Sequence, residues 1–306
     1  MGKIAFVFAG QGAQYPGMGQ ELAQCSPAAA QVFQQLDALR PGTSQQCFSG
    51  TEAELKETRN TQPCMFAVEL AAAAALEEKG LRADLAAGFS LGEIGALTYT
   101  GAVDLETGFH LVCRRGELMQ QAAEAQPTAM AAVLKLENAA VEVLCAQFPE
   151  TYPVNYNCPG QISVACAKEQ LAPFSAAVKA AGGRALPLKV AGGFHSPFMA
   201  SAAQGFAQVL ADCQVGQPKL PLYSNKTGAV YDGDPKELLA QQIVSPVRWE
   251  TIVRNMIAAG ADTFIELGPG KTLCGLIAKT DQTVKTYALS TQADLEQIVK
   301  EVLGGC

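Results

Sequence analysis

Gly88-Phe89-Ser90-Leu91-Gly92 follows a strand-like run, Ala83 to Gly88, and precedes a helical one, Leu91 to Leu97. A Gly-x-Ser-x-Gly pentapeptide at such a junction is the setting of a nucleophile elbow. The glycines allow a sharp turn, the hydroxyl projects above the sheet, and the helix N-terminus aims amides at the same point. A serine hydroxyl is a weak nucleophile until a neighbouring base takes its proton. Two histidines are present to do so. His195 lies in the glycine-rich segment Ala191-Gly192-Gly193-Phe194-His195-Ser196-Pro197, a loop context in which catalytic groups concentrate. His110 lies inside the helical run Phe109-His110-Leu111-Val112, where a structural role is the default. The base is therefore expected at His195. The loop Gly10-Gln11-Gly12-Ala13-Gln14, after the first strand, offers amides at Gln11 and Gly12. A donor from such a loop, paired with the amide of Leu91, would make an oxyanion hole. The competing reading is that the pentapeptide is a chance match in a chain with 29 glycines.

Other motifs are weaker. The first glycine loop lacks the Gly-x-Gly-x-x-Gly spacing of a dinucleotide site. Gly268-Pro269-Gly270-Lys271-Thr272 resembles the end of a phosphate loop, but Ile265 stands where that motif needs glycine, so a tight turn after a strand is expected. Arg114 and Arg115 interrupt an apolar helical run, Leu111 to Met119. Adjacent helical residues point about 100° apart, so one can face solvent and the other inward. An inward arginine near the serine would bind a carboxylate through paired hydrogen bonds, although surface charge is the commoner fate of such a pair.

These groups need a scaffold. A strand from Lys3 to Phe8 and helices around Gln20 to Leu39, Pro63 to Glu78 and Leu105 to Ala123 alternate as in an α/β core. After Gln126-Pro127 the pattern changes. A strand at Ala129 to Leu136, a helix at Ala139 to Phe148, a hairpin of Val154 to Asn157 and Gln161 to Ala165, a helix at Glu169 to Ala181 and a strand at Arg184 to Val190 spell β-α-β-β-α-β. Alternation then resumes with strands at Leu220 to Ser224 and Thr263 to Leu267 and helices at Lys236 to Val244 and Val247 to Ala259. The expected fold class is α/β: a discontinuous large subdomain, 1–125 and 192–306, with a ferredoxin-like small subdomain, 126–191, inserted. A ligand cleft is expected between them.

With 306 residues, 49% hydrophobic and 17% charged, the chain can bury a sizeable core. A net charge of −7 argues against nucleic acid as a partner. No stretch is apolar enough to span a bilayer, the run near Leu70 being interrupted by Glu69, Glu77 and Glu78. Ile4 to Ala9 is too short for a signal-peptide core, and Phe6 stands where myristoylation needs Ser or Thr. The 10 cysteines are scattered without a Cys-x-x-Cys pair, which suits buried thiols in a cytoplasmic protein. No Cys/His cluster has zinc spacing, so no metal is expected.

Taken together, the motifs resemble the malonyl-CoA:acyl carrier protein transacylase family over essentially the whole chain. They run from Gly10-Gln11-Gly12-x-Gln14 through Thr61-Gln62-Pro63, the elbow to Glu93, and Arg115-Gly116 with Met119-Gln120. Asn155-x-Asn157-x-Pro159-Gly160-Gln161, Phe194-His195-Ser196-Pro197-x-Met199, Ser245-Pro246-Val247-x-Trp249 and Glu266-x-Gly268-Pro269-Gly270 follow in order. The resemblance implies an α/β-hydrolase-like large subdomain and a cofactor-free, ping-pong transfer of malonyl from CoA to acyl carrier protein in fatty acid biosynthesis, by a cytoplasmic monomer. It implies Ser90 as the acylated nucleophile, His195 as base, and the Gln11 and Leu91 amides as oxyanion hole. Arg115 would hold the malonyl carboxylate, Gln62 would sit near the acyl pocket, and the Gln242 carbonyl would orient His195. Phe194 and Leu91 match the family's malonyl-selective pattern.

Two departures stand out. Phe89 occupies the place where the family usually has histidine, and Gln126-Pro127-Thr128-Ala129-Met130 lacks a glycine often found there. Carrier proteins of this family are acidic, so Lys179, Arg184 and Lys189 are candidates for a basic docking lip. A serine esterase is the main alternative. It needs an acid between serine and histidine, and Asp104, the single aspartate there, stands at a helix start where capping is its natural role. A silent partner-binding domain would leave the elbow and the loop histidine unexplained.

Overall fold

The computed structural model describes residues 2–304. Met1 and the two C-terminal residues, which the expected domain limits include, lie outside them. Among the described residues the strands are β1 (Lys3–Phe8), β2 (Leu85–Gly88), β3 (Thr128–Leu134), β4 (Thr151–Cys158), β5 (Gln161–Ala167), β6 (Arg184–Pro187), β7 (Leu222–Tyr223), β8 (Ala261–Leu267) and β9 (Lys285–Leu289). Five of them form a wholly parallel sheet in the order β7-β2-β1-β8-β9. Parallel strands covered by helices on both faces lose their apolar/polar alternation. Lys-Ile-Ala-Phe-Val-Phe in β1 is such a strand, buried from Ile4 onward. The protein is an α/β fold.

The Thr58–Glu78 helix is buried nearly all round, as expected of a helix with five alanines in its second half crossing the core. Phe66 on it stacks against Phe109 of the Leu105–Ala125 helix, with ring centroids 5.9 Å apart. These two helices thereby bring Gln62 and Arg115 to one level of the core. The remaining strands form an antiparallel sheet, β4-β5-β3-β6, with a core of its own around Val133, Ile162, Phe174 and Val178. Its β4 edge is pinned to the rest of the molecule at Val247, whose amide donates to Val154 and whose carbonyl accepts from Tyr156, both at 2.9 Å. The junction sets one wall of a cleft above the parallel sheet.

Several elements differ from their expected limits for local reasons. The run from Gln20 to Leu39 is two helices, Gln20–Cys25 and Pro27–Leu39, because Ser26 caps the second by accepting from Ala29 N and Pro27 cannot continue the first. The next helix starts at Thr58 rather than Pro63, its first amide satisfied by the Gln120 side chain at 2.8 Å. β6 stops at Pro187, and residues 188–190 run on as exposed loop beside the cleft. β9 and the helices Ala200–Asp212, Thr272–Thr280 and Gln292–Ile298 were not expected.

Gly268-Pro269-Gly270 is a turn, with Gly268 and Gly270 at φ 119° and 84°. The helix after it is no anion site. The Glu266 carboxylate already accepts from its Leu273 and Cys274 amides at 3.1 and 2.8 Å.

Candidate active site

Ser90 sits between β2 and the Gly92–Tyr99 helix with φ 56°, a left-handed conformation that costs a β-carbon-bearing residue energy. Both flanking glycines are sterically required. A Cβ on Gly88 would lie 1.9 Å from the Gly92 carbonyl carbon, and one on Gly92 would lie 2.4 Å from the Phe8 oxygen. The strained turn is held from outside by Asn225, in the loop after β7. Its Oδ1 accepts from Ser90 N at 2.7 Å, and its Nδ2 donates to Gly88 O at 2.6 Å. One side chain thus satisfies two backbone groups that the elbow leaves free.

His195 meets this serine from the loop between β6 and the Ala200–Asp212 helix. Its Nε2 is 2.7 Å from Ser90 Oγ, and its Nδ1 is 3.0 Å from the Gln242 carbonyl oxygen. A carbonyl only accepts, so Nδ1 carries the proton and Nε2 is left free to accept from the serine hydroxyl. The ring is 3% exposed. Burial and then the nearby Arg115 charge push its pKa down to about 4, so the imidazole is neutral and ready as a base at neutral pH. His110 is exposed on its helix.

Arg115 points inward and Arg114 outward, where it pairs with Glu117. Arg115 is 1% exposed and lies beside the serine. One terminal nitrogen donates to Gln62 Oε1 at 2.9 Å; the other donates to Gln242 Oε1 at 2.7 Å and approaches Ser90 Oγ at 3.3 Å. Its Nε has no partner among the described residues. Burial lowers its pKa to about 10, opposed by Glu93, and the guanidinium remains charged near neutrality. Gln62 turns its Nε2 toward Met119 sulfur at 3.4 Å.

Ser90, His195 and Gln62 open on a cavity of about 110 Å³ lined also by Gln11, Leu91 and Met130. A second cavity of about 250 Å³ continues it along Gly10, Asn155, Asn157, Gln161 and Leu276. Gln11, Phe89, Asn155 and Leu188 line both. The amides of Gln11 and Leu91 donate to no protein group among the described residues, so both are free to serve a ligand in the first cavity. Phe89 lines both cavities. It packs against Trp249 at 5.5 Å and against Gly10, where an added Cβ would come within 2.8 Å of its ring.

Three contributors carried no functional signal in the sequence: Asn225, Tyr231 and the side chain of Gln242. Gln242 Nε2 donates to Ser90 O and to Glu93 Oε2, both at 2.7 Å. Tyr231 donates to Glu93 Oε1 at 2.6 Å. Glu93 could be seen as part of a motif but not given a task. Among the described residues no cluster of His, Cys, Asp and Glu could hold a metal ion, and no helix is long and apolar enough to cross a membrane.

The family model for the acyl transferase domain matches residues 5–300. The chain is 38% identical to the malonyl CoA-acyl carrier protein transacylase of Bacillus subtilis, the match covering 98% of this chain and 97% of that protein. It is 35% identical to the Escherichia coli protein of the same name, over 95% of this chain and 96% of that one. Among solved structures, the malonyl CoA-acyl carrier protein transacylase of Clostridium perfringens superposes with a TM-score of 0.96 at 33% identity, covering 99% of this chain and 98% of that one. A malonyl-transacylase in complex with its type II polyketide acyl-carrier protein superposes with a TM-score of 0.94 at 33% identity, over 98% and 99% of the two chains.

Proposed function

The chain belongs to the acyl transferase family typified by the malonyl CoA-acyl carrier protein transacylases, and we propose that Ser90 is the residue that carries its malonyl group between CoA and carrier. The observation that supports this most directly is the line of hydrogen bonds from Ser90 Oγ through His195 to the Gln242 carbonyl, with a buried arginine beside it. His195 Nε2 takes the hydroxyl proton as Oγ attacks the thioester carbonyl. The amides of Gln11 and Leu91 stabilise the oxyanion, and Arg115 holds the distal carboxylate. The tetrahedral adduct expels the CoA sulfur, which receives the proton back from His195. The carrier's phosphopantetheine thiol then gives a proton to the same imidazole and attacks the Ser90 ester. Serine leaves with that proton, closing the balance on two side chains without a cofactor.

The Gln242 carbonyl does the orienting work an aspartate does in a hydrolase triad, and it adds no negative charge beside a site that must admit an anionic acyl group. An esterase has no use for the inward arginine, and Asp104 is engaged as the cap of the Leu105–Ala125 helix through Thr107 N at 2.7 Å. The larger cavity, lined by the Asn155, Asn157 and Gln161 side chains, suits the amides of a pantetheine arm. We read the parallel sheet with its helices as an α/β-hydrolase-like subdomain, 1–125 and 192–306. The β-α-β-β-α-β order and the strand order β4-β5-β3-β6 support a ferredoxin-like subdomain at 126–191. Lys179, Arg184 and Lys189 are exposed on it and form our candidate docking lip for an acidic carrier in the cytoplasm, serving fatty acid biosynthesis.

The test is transfer of labelled malonyl, acetyl and methylmalonyl from CoA to a purified carrier protein. Malonyl should move far faster than the other two. Charge reversal at the three basic positions should raise KM for the carrier in a salt-dependent way and spare KM for malonyl-CoA. Equal transfer of malonyl and acetyl would defeat the assignment of Arg115.

A further inference from the structure

Glu93 is the elbow residue to which the reaction gives no task. It is 0% exposed, in the first turn of the helix behind Ser90. Its Oε1 accepts from the Tyr231 hydroxyl at 2.6 Å and the Asn225 amide at 3.1 Å. Its Oε2 accepts from Gln242 Nε2 at 2.7 Å. The Gln242 amide therefore lies between a buried anion and a buried cation. Its nitrogen meets two acceptors, Glu93 Oε2 and Ser90 O, and its oxygen accepts from Arg115 at 2.7 Å. Turned over, the amide would set its nitrogen against the guanidinium and its oxygen against the carboxylate. Both contacts would then be repulsive.

We infer that Glu93 is a positioning residue for malonyl recognition: its carboxylate locks the Gln242 amide in one orientation, and the amide oxygen in turn holds the Arg115 guanidinium over Ser90. This rests on reading Arg115 as the carboxylate clamp. The intervening glutamine also has an electrostatic use. A carboxylate bonded directly to Arg115 would compete with the acyl group for its donors. Set one amide away, Glu93 still supplies a counter-charge to the buried cation while leaving Nε without a partner.

Glu93→Gln preserves shape and tests the relay. The new amide oxygen must accept from Tyr231 and Asn225, so its nitrogen faces Gln242 Nε2, donor against donor. Gln242 is forced over and Arg115 loses its acceptor. Malonyl loading from malonyl-CoA should fall by roughly 30-fold or more in kcat/KM, chiefly through KM, while acetyl loading from acetyl-CoA changes by less than about threefold. Gln242→Met keeps the backbone carbonyl on His195 and removes the amide, so it should lower the malonyl-to-acetyl ratio by a similar factor, whatever its effect on the two rates together. In that background Glu93→Gln should add nothing further. If Glu93→Gln does not fold, Gln242→Met alone decides by its malonyl-to-acetyl ratio.

Equal losses for the two acyl groups, unchanged malonyl loading, or additive effects in the double variant would overturn the relay. Arg115→Ala, measured alongside, separates the two ideas. If it costs malonyl selectivity and Glu93→Gln does not, the relay fails and the clamp stands. If Arg115→Ala itself spares malonyl, the clamp fails first.

Discussion

Arg115→Ala is the substitution whose consequence follows most closely from the geometry. The guanidinium is 1% exposed, held by Gln62 and Gln242 through its two terminal nitrogens, one of which approaches Ser90 Oγ at 3.3 Å, and its Nε has no partner among the described residues. A hydrogen bond to a charged group contributes about 1.5–3 kcal/mol, so a two-point grip on a carboxylate is worth roughly 3–6 kcal/mol before costs. Pulling the carboxylate out of water offsets part of this, leaving about 3–4 kcal/mol, or roughly two to three orders of magnitude in kcat/KM for malonyl-CoA. Acetyl-CoA has no carboxylate to lose. Its loading should hold or rise, because a vacant buried cation no longer opposes a neutral acyl group. Arg115→Lys should recover only part of the malonyl rate, since a point charge cannot reproduce the planar fork. The assay is stopped-flow CoA release in the acylation half-reaction with each donor, with thermal melts as a check on folding. A loss of the same factor for malonyl and acetyl would make the arginine a structural element and not a carboxylate clamp.

Further expectations follow from the site. His195 acts as a base only when neutral, and its pKa is lowered to about 4, so kcat/KM for acetyl loading should stay level as pH falls through 6.5 and decline only near 4. Malonyl loading should show an additional decline near pH 7, as Glu93, raised to about 7 by burial and facing Tyr231 and, across Gln242, Arg115, takes up a proton. Because the folded pKa of His195 lies below its unfolded value, the stability it contributes is present above about 6.5 and is lost between there and about 4. A pH series of melts should therefore flatten in His195→Gln. Asn225→Ala removes both bonds that hold the elbow, at 2.7 and 2.6 Å. It should destabilise the fold by about 2–4 kcal/mol and slow malonyl and acetyl loading alike, as read by urea melts and CoA release. A loss confined to one acyl group would place Asn225 in recognition instead.

Ser90 was legible because an elbow constrains its neighbours as well as itself: the clashes a Cβ would make at Gly88 and Gly92 are the reason those positions read glycine. His195 was legible by elimination, the other histidine being placed mid-helix. Arg115 was only half legible. Helical geometry says that one of two adjacent arginines can turn inward, and whether and which one does depends on Gln62 and Gln242, 53 and 127 residues away. The supporting network was not legible at all. Glu93 meets Asn225, Tyr231 and Gln242 across separations of 132, 138 and 149 residues, and no local spacing encodes such contacts. The order of short apolar runs after Gln126 identified each strand of the small sheet, which has a hydrophobic core of its own. β9 was missed because Lys285–Leu289 is a short, half-buried edge strand with little periodicity to read.

The central claim is that the malonyl group travels on Ser90. Incubating the protein with malonyl-CoA, quenching in acid and mapping peptides by mass spectrometry tests it directly. A single added malonyl is expected on the peptide carrying Ser90, discharged when a carrier thiol is supplied and absent in Ser90→Ala. Undiminished labelling of Ser90→Ala, or an adduct on any other residue that turns over with carrier, would contradict it.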